Sequence, residues 1–478
     1  MAAHQAPERD EIWRCLHCRG ALTSGTDALK CLDCGKQYPA VAGIPLLVRE
    51  PANYFRAERA SLIEVAREAR QHKDRLDQIE PYAGLPDAAL ERHRDVLSVE
   101  AAQAETFLAL LEPPAWAIEA SAESARETQV VRPGWNFDTL TPYLLRDWTD
   151  SPELRVTSSR IGAALERVFP DPHGKSVVFA GCGAGGLLAK ISADFARVLA
   201  FDLTLPILAA ARHMLDGKTL DLALPRALNE SGCISLGRNG LPPAASHVEL
   251  LAMDALDTAF ADRSIDCVVT VFLTDILADP RALADEIHRI LSNDGVWINY
   301  GPSGNNLKAL WRFDQREAPA FFKAAGFSPI HAEAYRGTNL DISNVCPSAS
   351  FRNTVCYLTL ARKAGEAEAR PAPRTPGPDE IREAVPRHFP GARLVHRLEA
   401  IEKNSIILYH DRIPGRAENW NIGDRAARMI ALVDGKRTVS EIADLLNRRK
   451  PPQPIDETFR AFDRFFNQGL LDWRRRNP

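Results

Sequence analysis

The chain has 478 residues, of which 45% are hydrophobic and 26% charged, and its formal net charge is −4. This length suggests about three domains, and the slightly acidic balance gives no overall sign of nucleic-acid binding. No segment reaches the roughly 18 apolar residues that a membrane span needs. With nine cysteines and no opening run typical of an export signal, we expect a cytoplasmic protein in a reducing compartment.

The amino-terminal region contains two CxxC pairs that are separated by twelve residues. Their members are Cys15, Cys18, Cys31 and Cys34. This spacing is typical of a zinc ribbon, in which four thiolates close a tetrahedral site and the metal is structural. His17 lies inside the first pair and is an alternative to one of the thiolates.

The residues around these cysteines, 13–22 and 36–48, resemble the small zinc-ribbon partner protein that activates tRNA and protein methyltransferases. The resemblance implies that residues 1–50 form a ribbon that supports the enzyme or positions its substrate. Alternatively, zinc only holds together a segment that is too small for its own core. Residues 53–112 are rich in Ala, Glu, Arg and Leu with helical spacing, which predicts a helical accessory region over 51–135 that covers the cofactor side of the next domain.

A glycine-rich turn at Gly181, Gly183 and Gly185 follows an apolar strand and precedes a helix expected at about 186–193. Glycine is needed where the backbone approaches a ligand or takes a positive φ, although such a turn alone is common to many nucleotide-binding sheets. The next apolar strand, 197–202, ends in Asp202, which is placed to accept the two ribose hydroxyls of an adenosine. That position fits NAD equally well.

Further strands are expected after the turn. They are 248–253, followed by Asp254 and Ala255; 265–272; a strand after the turn at 293–295; one near 328–334; and a last antiparallel strand at 353–362. This order resembles the class I S-adenosylmethionine-dependent methyltransferase family. The resemblance implies a seven-stranded, Rossmann-like α/β sheet over 136–363, with ligand at the carboxyl ends of its strands. One departure is Phe179, which stands where the family usually has an acidic residue.

Three phrases, at 145–155, 270–275 and 297–302, resemble a narrower group, the carnosine N-methyltransferase family. That family methylates a ring nitrogen of histidine in a dipeptide. The resemblance implies that Arg146 contacts the methionine carboxylate of S-adenosylmethionine, Asp202 the ribose and Asp254 the adenine amino group, with Ala255 and the three glycines beside them. It also implies that Asp275 holds the acceptor.

A carboxylate at Asp275 suits that role because it accepts the N–H of a neutral imidazole, fixes the tautomer and aims the other nitrogen. Two simpler interpretations are that Asp275 caps a helix and that Arg146 pairs with a surface carboxylate. The chain departs from the family at the substrate end, where Asp279, Asn306 and Arg352 replace family residues. With Asn299, these three are the expected substrate contacts.

Residues 364–380 are rich in proline and charge, which predicts a linker. Beyond it, a strand at 405–410, helices at 422–433, 438–447 and 459–466, and a closing strand at 470–473 predict a winged helix over 381–478. Residues 431–446 resemble PqqD-like domains, which bind leader peptides by adding an extended strand to the wing.

Nucleic-acid binding is a rival for this domain, but 19 Lys and Arg against 15 Asp and Glu from 379 onward favour a peptide or protein. A domain that only packs on the enzyme or mediates dimers is a third reading, and the sequence does not give the oligomeric state.

The modules together predict an S-adenosylmethionine-dependent N-methyltransferase. Its acceptor would be a histidine-like side chain of a peptide or protein, for example one presented through a leader peptide. The alternatives are a small-molecule methyltransferase whose flanking modules are structural, and a scaffold that has the methyltransferase fold without catalysis.

Overall fold

The computed structural model describes most of the chain. The described residues are 12–25, 28–78, 86–118, 130–131, 137–191, 195–237, 248–277, 280–302, 317–346, 352–365, 380–389, 391–398, 404–413, 416–422, 424–448, 455–467 and 471–475. The chain divides into two compact units. The first comprises Met1–Ala117, Trp135–Asn305 and Trp311–Glu368, and the second comprises Ile118–Gly134, Asn306–Leu310 and Ala369–Pro478.

The described residues form helices and strands that turns and loops connect. The helices are α1 Pro51–Gln78, α2 Asp87–Leu110, α3 Ala115–Ile118, α4 Phe137–Trp148, α5 Pro152–Val168, α6 Gly186–Ile191, α7 Leu205–Leu215, α8 Pro280–Ile290, α9 Ala318–Ala324, α10 Asp424–Ile430, α11 Val439–Asn447 and α12 Ile455–Asn467. The strands are β1 Leu22–Ser24, β2 Ala28–Cys31, β3 Gln37–Val41, β4 Ile44–Leu47, β5 Val130–Val131, β6 Ser176–Ala180, β7 Arg197–Asp202, β8 Leu220–Ala223, β9 Cys233–Leu236, β10 Val248–Met253, β11 Ile265–Val271, β12 Leu291–Pro302, β13 Phe327–Asn339, β14 Arg352–Lys363, β15 Ala384–Arg387, β16 Arg393–Leu398, β17 Asn404–Ile413, β18 Arg416–Ile422 and β19 Asp472–Arg475.

The first unit is built on a mixed sheet of eleven strands in the order β1-β2-β3-β4-β10-β7-β6-β11-β12-β14-β13. Strands β10, β7, β6, β11 and β12 are parallel, and at one end β14 runs antiparallel to both of its neighbours, β12 and β13. Seven of these strands, β6, β7 and β10–β14, lie within residues 136–363, where seven were predicted, but the whole sheet has more strands than that. The reason is that β4 pairs in parallel with β10, Leu46 opposite Ala252 and Leu47 opposite Met253, so that β1–β4 extend the sheet.

Both faces of the sheet are covered, which explains why its central strands are apolar throughout. All five residues of β6 are buried. Alternate residues enter different clusters: Val177 and Phe179 pack with side chains of α1, α2, α5 and α7, whereas Val178 and Ala180 pack with those of α8, α9 and the amino-terminal segment.

The amino-terminal segment is also held on the sheet beyond β4. Trp13 stacks on Phe260 with ring centroids 5.2 Å apart, and the backbone amide of Arg14 donates to the Ala259 carbonyl at 2.7 Å. The amide of Ala261 donates in turn to the Ile12 carbonyl at 2.7 Å. The segment that carries the four cysteines thus shares a core with the sheet.

The second unit contains a four-stranded antiparallel sheet, β16-β17-β18-β5, and a β15–β19 pair, with α10, α11 and α12 around a core that includes Ile430, Ile442 and Phe462. The first helix is shorter than expected, starting at Asp424 and ending at Ile430. The predicted capping box of α11 is confirmed: Thr438 Oγ1 accepts from the Glu441 amide, and the Glu441 carboxylate accepts from the Thr438 amide.

No helix within the described ranges combines the length and the apolar character that crossing a membrane requires.

Candidate active site

The glycine-rich turn follows β6 and has the backbone shape that the sequence predicts. Gly181, Gly183 and Gly185 have φ values of +67°, +54° and +79°, in the left-handed region that favours glycine. A Cβ atom added to Gly181 would lie 2.9 Å from Leu273 Cδ1, whereas one added to Gly183 would meet no atom within 4 Å. The middle of the turn therefore borders open space.

Asp202 lies at the carboxyl end of β7, beside this turn. Its Oδ2 accepts a hydrogen bond from the Gly183 amide at 3.0 Å, and its Oδ1 accepts from the Thr204 amide at 2.9 Å. Burial raises the pKa of the Asp202 carboxyl, and the hydrogen bonds from Gly183 and Thr204 oppose that rise. The structure thus brings Asp202 and the glycine turn together, as predicted for a pair that holds an adenosine.

A second contact to the turn comes from the end of α4. Asp147 Oδ2 accepts from the Gly186 amide at 3.2 Å, and Trp148 Nε1 donates to the Ala184 carbonyl at 2.7 Å. The side chains of Asp147 and Trp148 are buried, with relative exposures of 3% and 7%. The backbones touch as well, since a Cβ at Gly186 would lie 2.1 Å from the Asp147 carbonyl oxygen.

Arg146 belongs to the same network. Its Nε donates to Asp147 Oδ1 at 2.7 Å, and its Nη1 lies 3.5 Å from Glu153 Oε1. Burial alone would lower the pKa of Arg146, but Asp147 and Glu153 outweigh that effect and raise it, so the guanidinium stays charged. Glu153 Oε2 also accepts from the Asp341 amide at 3.1 Å. Arg146 thus pairs with two buried carboxylates rather than with a surface one, and its contact with a cofactor stays a prediction.

Asp254 and Ala255 follow β10 in a tight turn in which Asp254 Oδ1 accepts from the Leu256 amide at 3.0 Å. The amide of Asp257 closes the turn on the Asp254 carbonyl at 3.2 Å. Two arginines of the amino-terminal segment contact Asp257: Arg19 Nη2 at 3.0 Å and Arg49 Nε at 2.8 Å. Asp254 lies beside Asp202 at the carboxyl-terminal ends of the strands, because β10 and β7 are parallel neighbours.

Asp275 lies in the turn that follows β11, and thus also at the carboxyl-terminal ends of the parallel strands. A Cβ added to Gly301 of β12 would lie 3.8 Å from Asp275 Oδ1. Burial raises the pKa of Tyr143 and of Cys356, and the Asp275 charge adds to the rise in both, whereas Arg146 opposes it at Tyr143. Asp275, Tyr143 and Cys356 thus share one neighbourhood.

The Asp275 turn is supported by Asn299. Asn299 Oδ1 accepts from Thr270 Oγ1 at 2.8 Å and from Thr274 Oγ1 at 3.3 Å. Thr270 Oγ1 accepts in turn from Trp297 Nε1 at 2.8 Å. The Asn299 side-chain oxygen thus accepts two hydrogen bonds from within the protein, and its contact with a substrate stays a prediction.

Three expected substrate residues cannot be placed in this way. Asp279 and Asn306 lie outside the described residues, and of Arg352 only the backbone, at the start of β14, is described.

Sequence reasoning missed several residues that border the site. They are Tyr143, Asp147, Trp148, Arg160 and Tyr300. Arg160 Nη1 donates to the Tyr300 hydroxyl at 2.7 Å, and burial is the main cause that raises the pKa of Tyr300 to about 12. The phrase around Arg146 was the available signal for Asp147 and Trp148, but it does not reveal that both contact the glycine turn.

The four predicted metal ligands are brought together. The Sγ atoms of Cys15, Cys18, Cys31 and Cys34 all lie within 4.8 Å of one another. Four thiols at this separation fit a tetrahedral zinc ion. Burial raises the pKa of Cys15, but hydrogen bonds from Tyr38 and from the amides of Cys18 and His17 outweigh it and bring the pKa to about 6.

Comparison with known proteins agrees with this geometry. Residues 178–298 match the family model described as a methyltransferase domain. Among solved structures, the chain is similar to an S-adenosylmethionine-dependent methyltransferase from Aquifex aeolicus, at 15% identity and a TM-score of 0.29, over 45% of this chain and 100% of that one. No curated protein matches the chain.

Two further solved structures are similar at the same level. One is phosphoethanolamine N-methyltransferase 2 of Haemonchus contortus, with 17% identity and a TM-score of 0.33, over 47% of this chain and 58% of that one. The other is a chain of the complex between the Trm112 methyltransferase activator of Haloferax volcanii and a methyltransferase, with 16% identity and a TM-score of 0.32, over 48% of this chain and 99% of that one.

The matched residues include the glycine turn, Asp202, Asp254 and Asp275, so the chain contains a methyltransferase domain.

Proposed function

We propose that this protein is an S-adenosylmethionine-dependent methyltransferase that methylates a nitrogen of a histidine-like side chain in a peptide or protein, and that its carboxyl-terminal unit recruits that substrate. The observation that carries the proposal is the position of Asp275. It lies at the sheet edge that carries the glycine turn, in a neighbourhood of acidic and phenolic side chains.

These surroundings favour an acceptor that offers an N–H or a positive charge. Burial is the main cause that raises the pKa of Tyr143; Arg146 opposes the rise, and Asp275 and Glu153 add to it, so Asp275 acts on the same phenol as this ion-pair network. The N–H of an imidazole finds a carboxylate there that accepts it.

The chain's own contribution to the reaction is then orientation. Asp275 accepts the N–H of the imidazole and leaves the lone pair of the other ring nitrogen directed away from it. S-adenosylmethionine supplies an electrophilic methyl group when it is bound. Holding the ring nitrogen close and aligned is a large effect and needs no strong base, because the neutral imidazole already has a lone pair.

Residues at the carboxyl ends of the parallel strands would hold the cofactor. In this proposal Asp202 accepts the ribose hydroxyls, Asp254 the adenine amino group, and the amides of the glycine turn approach the ligand closely. Arg146 would contact the methionine carboxylate.

The second unit supplies sheet edges to which a peptide can add. An extended segment that joins an exposed edge gains backbone hydrogen bonds, which is a common mode of peptide recognition. Here β16 lies at one edge of the four-stranded sheet, and on the other side Val130 and Val131 of β5 pair with Ile422 and Asn421 of β18. An incoming strand therefore adds at β16 or displaces β5.

The test is methyl transfer from labelled S-adenosylmethionine to a peptide library in which each member has one histidine. We expect label on the histidine ring. Asp275→Ala should lower the transfer rate by about 100-fold, whereas Asp275→Asn, which still offers one acceptor oxygen, should lose less.

Two outcomes would contradict the proposal. Transfer to free histidine derivatives as fast as to peptides would favour a small-molecule enzyme. Binding of S-adenosylhomocysteine without transfer to any histidine peptide would refute the proposed acceptor.

A further inference from the structure

The glycine turn is held from two sides by carboxylates, and only one of them was expected. Asp202 accepts from the Gly183 amide at 3.0 Å, and Asp147 accepts from the Gly186 amide at 3.2 Å. Trp148 adds a hydrogen bond between these two, to the Ala184 carbonyl at 2.7 Å. Three hydrogen bonds thus hold the backbone of the turn, at residues 183, 184 and 186.

Asp147 and Trp148 belong to α4, which is distant in sequence from β6 and β7. The two residues are buried, and the end of α4 contacts the turn so closely that only a glycine at 186 fits. This contact is therefore part of the packed core rather than an exposed pairing that solvent would weaken.

Asp147 also joins the turn to Arg146. Its Oδ2 accepts from the Gly186 amide, while its Oδ1 accepts from Arg146 Nε at 2.7 Å. Arg146 is held further by Glu153, whose other oxygen accepts from the Asp341 amide. One carboxylate therefore sets the position of the turn and the direction of a buried guanidinium together.

We propose that Asp147 and Trp148 are positioning residues that hold the glycine turn and Arg146 in the geometry that binds the cofactor. This rests on the turn being the cofactor site. A turn that is already ordered loses less conformational freedom when the cofactor binds. We therefore expect the contacts from α4 to raise the affinity for the cofactor.

The test is calorimetric titration of S-adenosylhomocysteine into the full-length protein and three variants. Trp148→Phe keeps the ring and removes the donor to Ala184. Asp147→Asn keeps one oxygen that accepts from the Gly186 amide, but places an NH2 group opposite Arg146 Nε, so that two donors face each other. Asp150→Asn, at an exposed acid three residues further on that pairs with Arg155, is the matched control.

We expect Trp148→Phe and Asp147→Asn each to weaken binding about tenfold, since each leaves a buried polar group without its partner. The control should bind within twofold of the wild type. Hydrogen exchange separates positioning from a general loss of stability: amides of 181–188 should exchange faster in the two variants, and those of β6, β7 and β11 at the wild-type rate.

Unchanged affinity in both variants would overturn the proposal. Faster exchange across the whole sheet, with affinity falling in proportion to stability, would also overturn it, because the two residues would then serve the fold alone. No binding by the wild type would refute the cofactor site itself, which is a separate failure.

Discussion

Gly186 shows how a single residue position depends on a contact distant in sequence. A Cβ at this position would lie 2.1 Å from the backbone oxygen of Asp147 and 2.6 Å from its carbonyl carbon. Neither atom belongs to a flexible side chain, so the end of α4 would have to move as a whole. Gly186 is thus required by packing, whereas Gly181, Gly183 and Gly185 also need their positive φ.

We predict that Gly186→Ala lowers the free energy of unfolding by about 3 kcal/mol, because overpacking against backbone cannot relax locally. Chemical denaturation of the full chain measures the change. Gly162→Ala in α5 is the control, since its Cβ would meet no atom within 4 Å. There alanine should raise the stability by about 0.5–1 kcal/mol. Equal stability of the two variants would show that α4 does not contact the turn in this way.

At the scale of the element, α11 depends on its capping box. The box pairs the Thr438 hydroxyl with the Glu441 amide and the Glu441 carboxylate with the Thr438 amide, and Thr438 is 2% exposed. These bonds satisfy amides at the start of the helix that have no partner within it.

We expect Thr438→Ala to lower the stability of the second unit by about 1 kcal/mol. Glu441→Gln, which still accepts from the Thr438 amide, should cost less. Thermal unfolding followed by calorimetry gives both values. If Glu441→Gln destabilised the unit as much as Thr438→Ala, the charge of Glu441 and not the reciprocal box would hold the helix start.

At the scale of the molecule, the cysteine cluster and the methyltransferase sheet form one unit. Strand β4 pairs with β10, and Arg19 and Arg49 contact Asp257 three residues after Asp254. A metal ion that stabilises the cysteine cluster would therefore also stabilise the part of the sheet where Asp254 lies.

We predict that the purified protein contains about one zinc ion per chain and that Cys31→Ser abolishes binding, since a structural site needs four ligands. The variant should also unfold at a lower temperature, because β1–β4 would lose the metal that holds them. Elemental analysis and thermal unfolding measure the two effects, and Cys233→Ser, at an exposed thiol outside the cluster, is the control. A zinc-free wild type of full stability would contradict this role.

The sequence predicted the parts of this structure that are local. Strands β6, β7 and β10 appear where largely apolar runs precede a glycine or a carboxylate, and β11 where such a run follows a turn, because a strand that is buried on both faces leaves this pattern. The cysteine spacing and the capping box are equally local.

Features that depend on long-range pairing were not predicted. The expected turn at 293–295 lies within β12, where the register against β11 shifts between Ile265 and Cys267. The pairing of β4 with β10, and the contact of Asp147 with Gly186, join residues far apart in sequence. The hydrophobic periodicity of a sequence does not show which sheet a strand joins or which helix end contacts a turn.

The most direct test of the whole account is calorimetric titration of S-adenosylhomocysteine into the zinc-loaded wild type and Asp202→Ala, with Asp216→Ala at an exposed acid as the control. We predict micromolar binding by the wild type and the control, and binding at least about 100-fold weaker in Asp202→Ala, because the charged acceptor of the ribose hydroxyls is lost. A folded, zinc-loaded wild type that does not bind, or an Asp202→Ala variant that binds as tightly as the wild type, would contradict it.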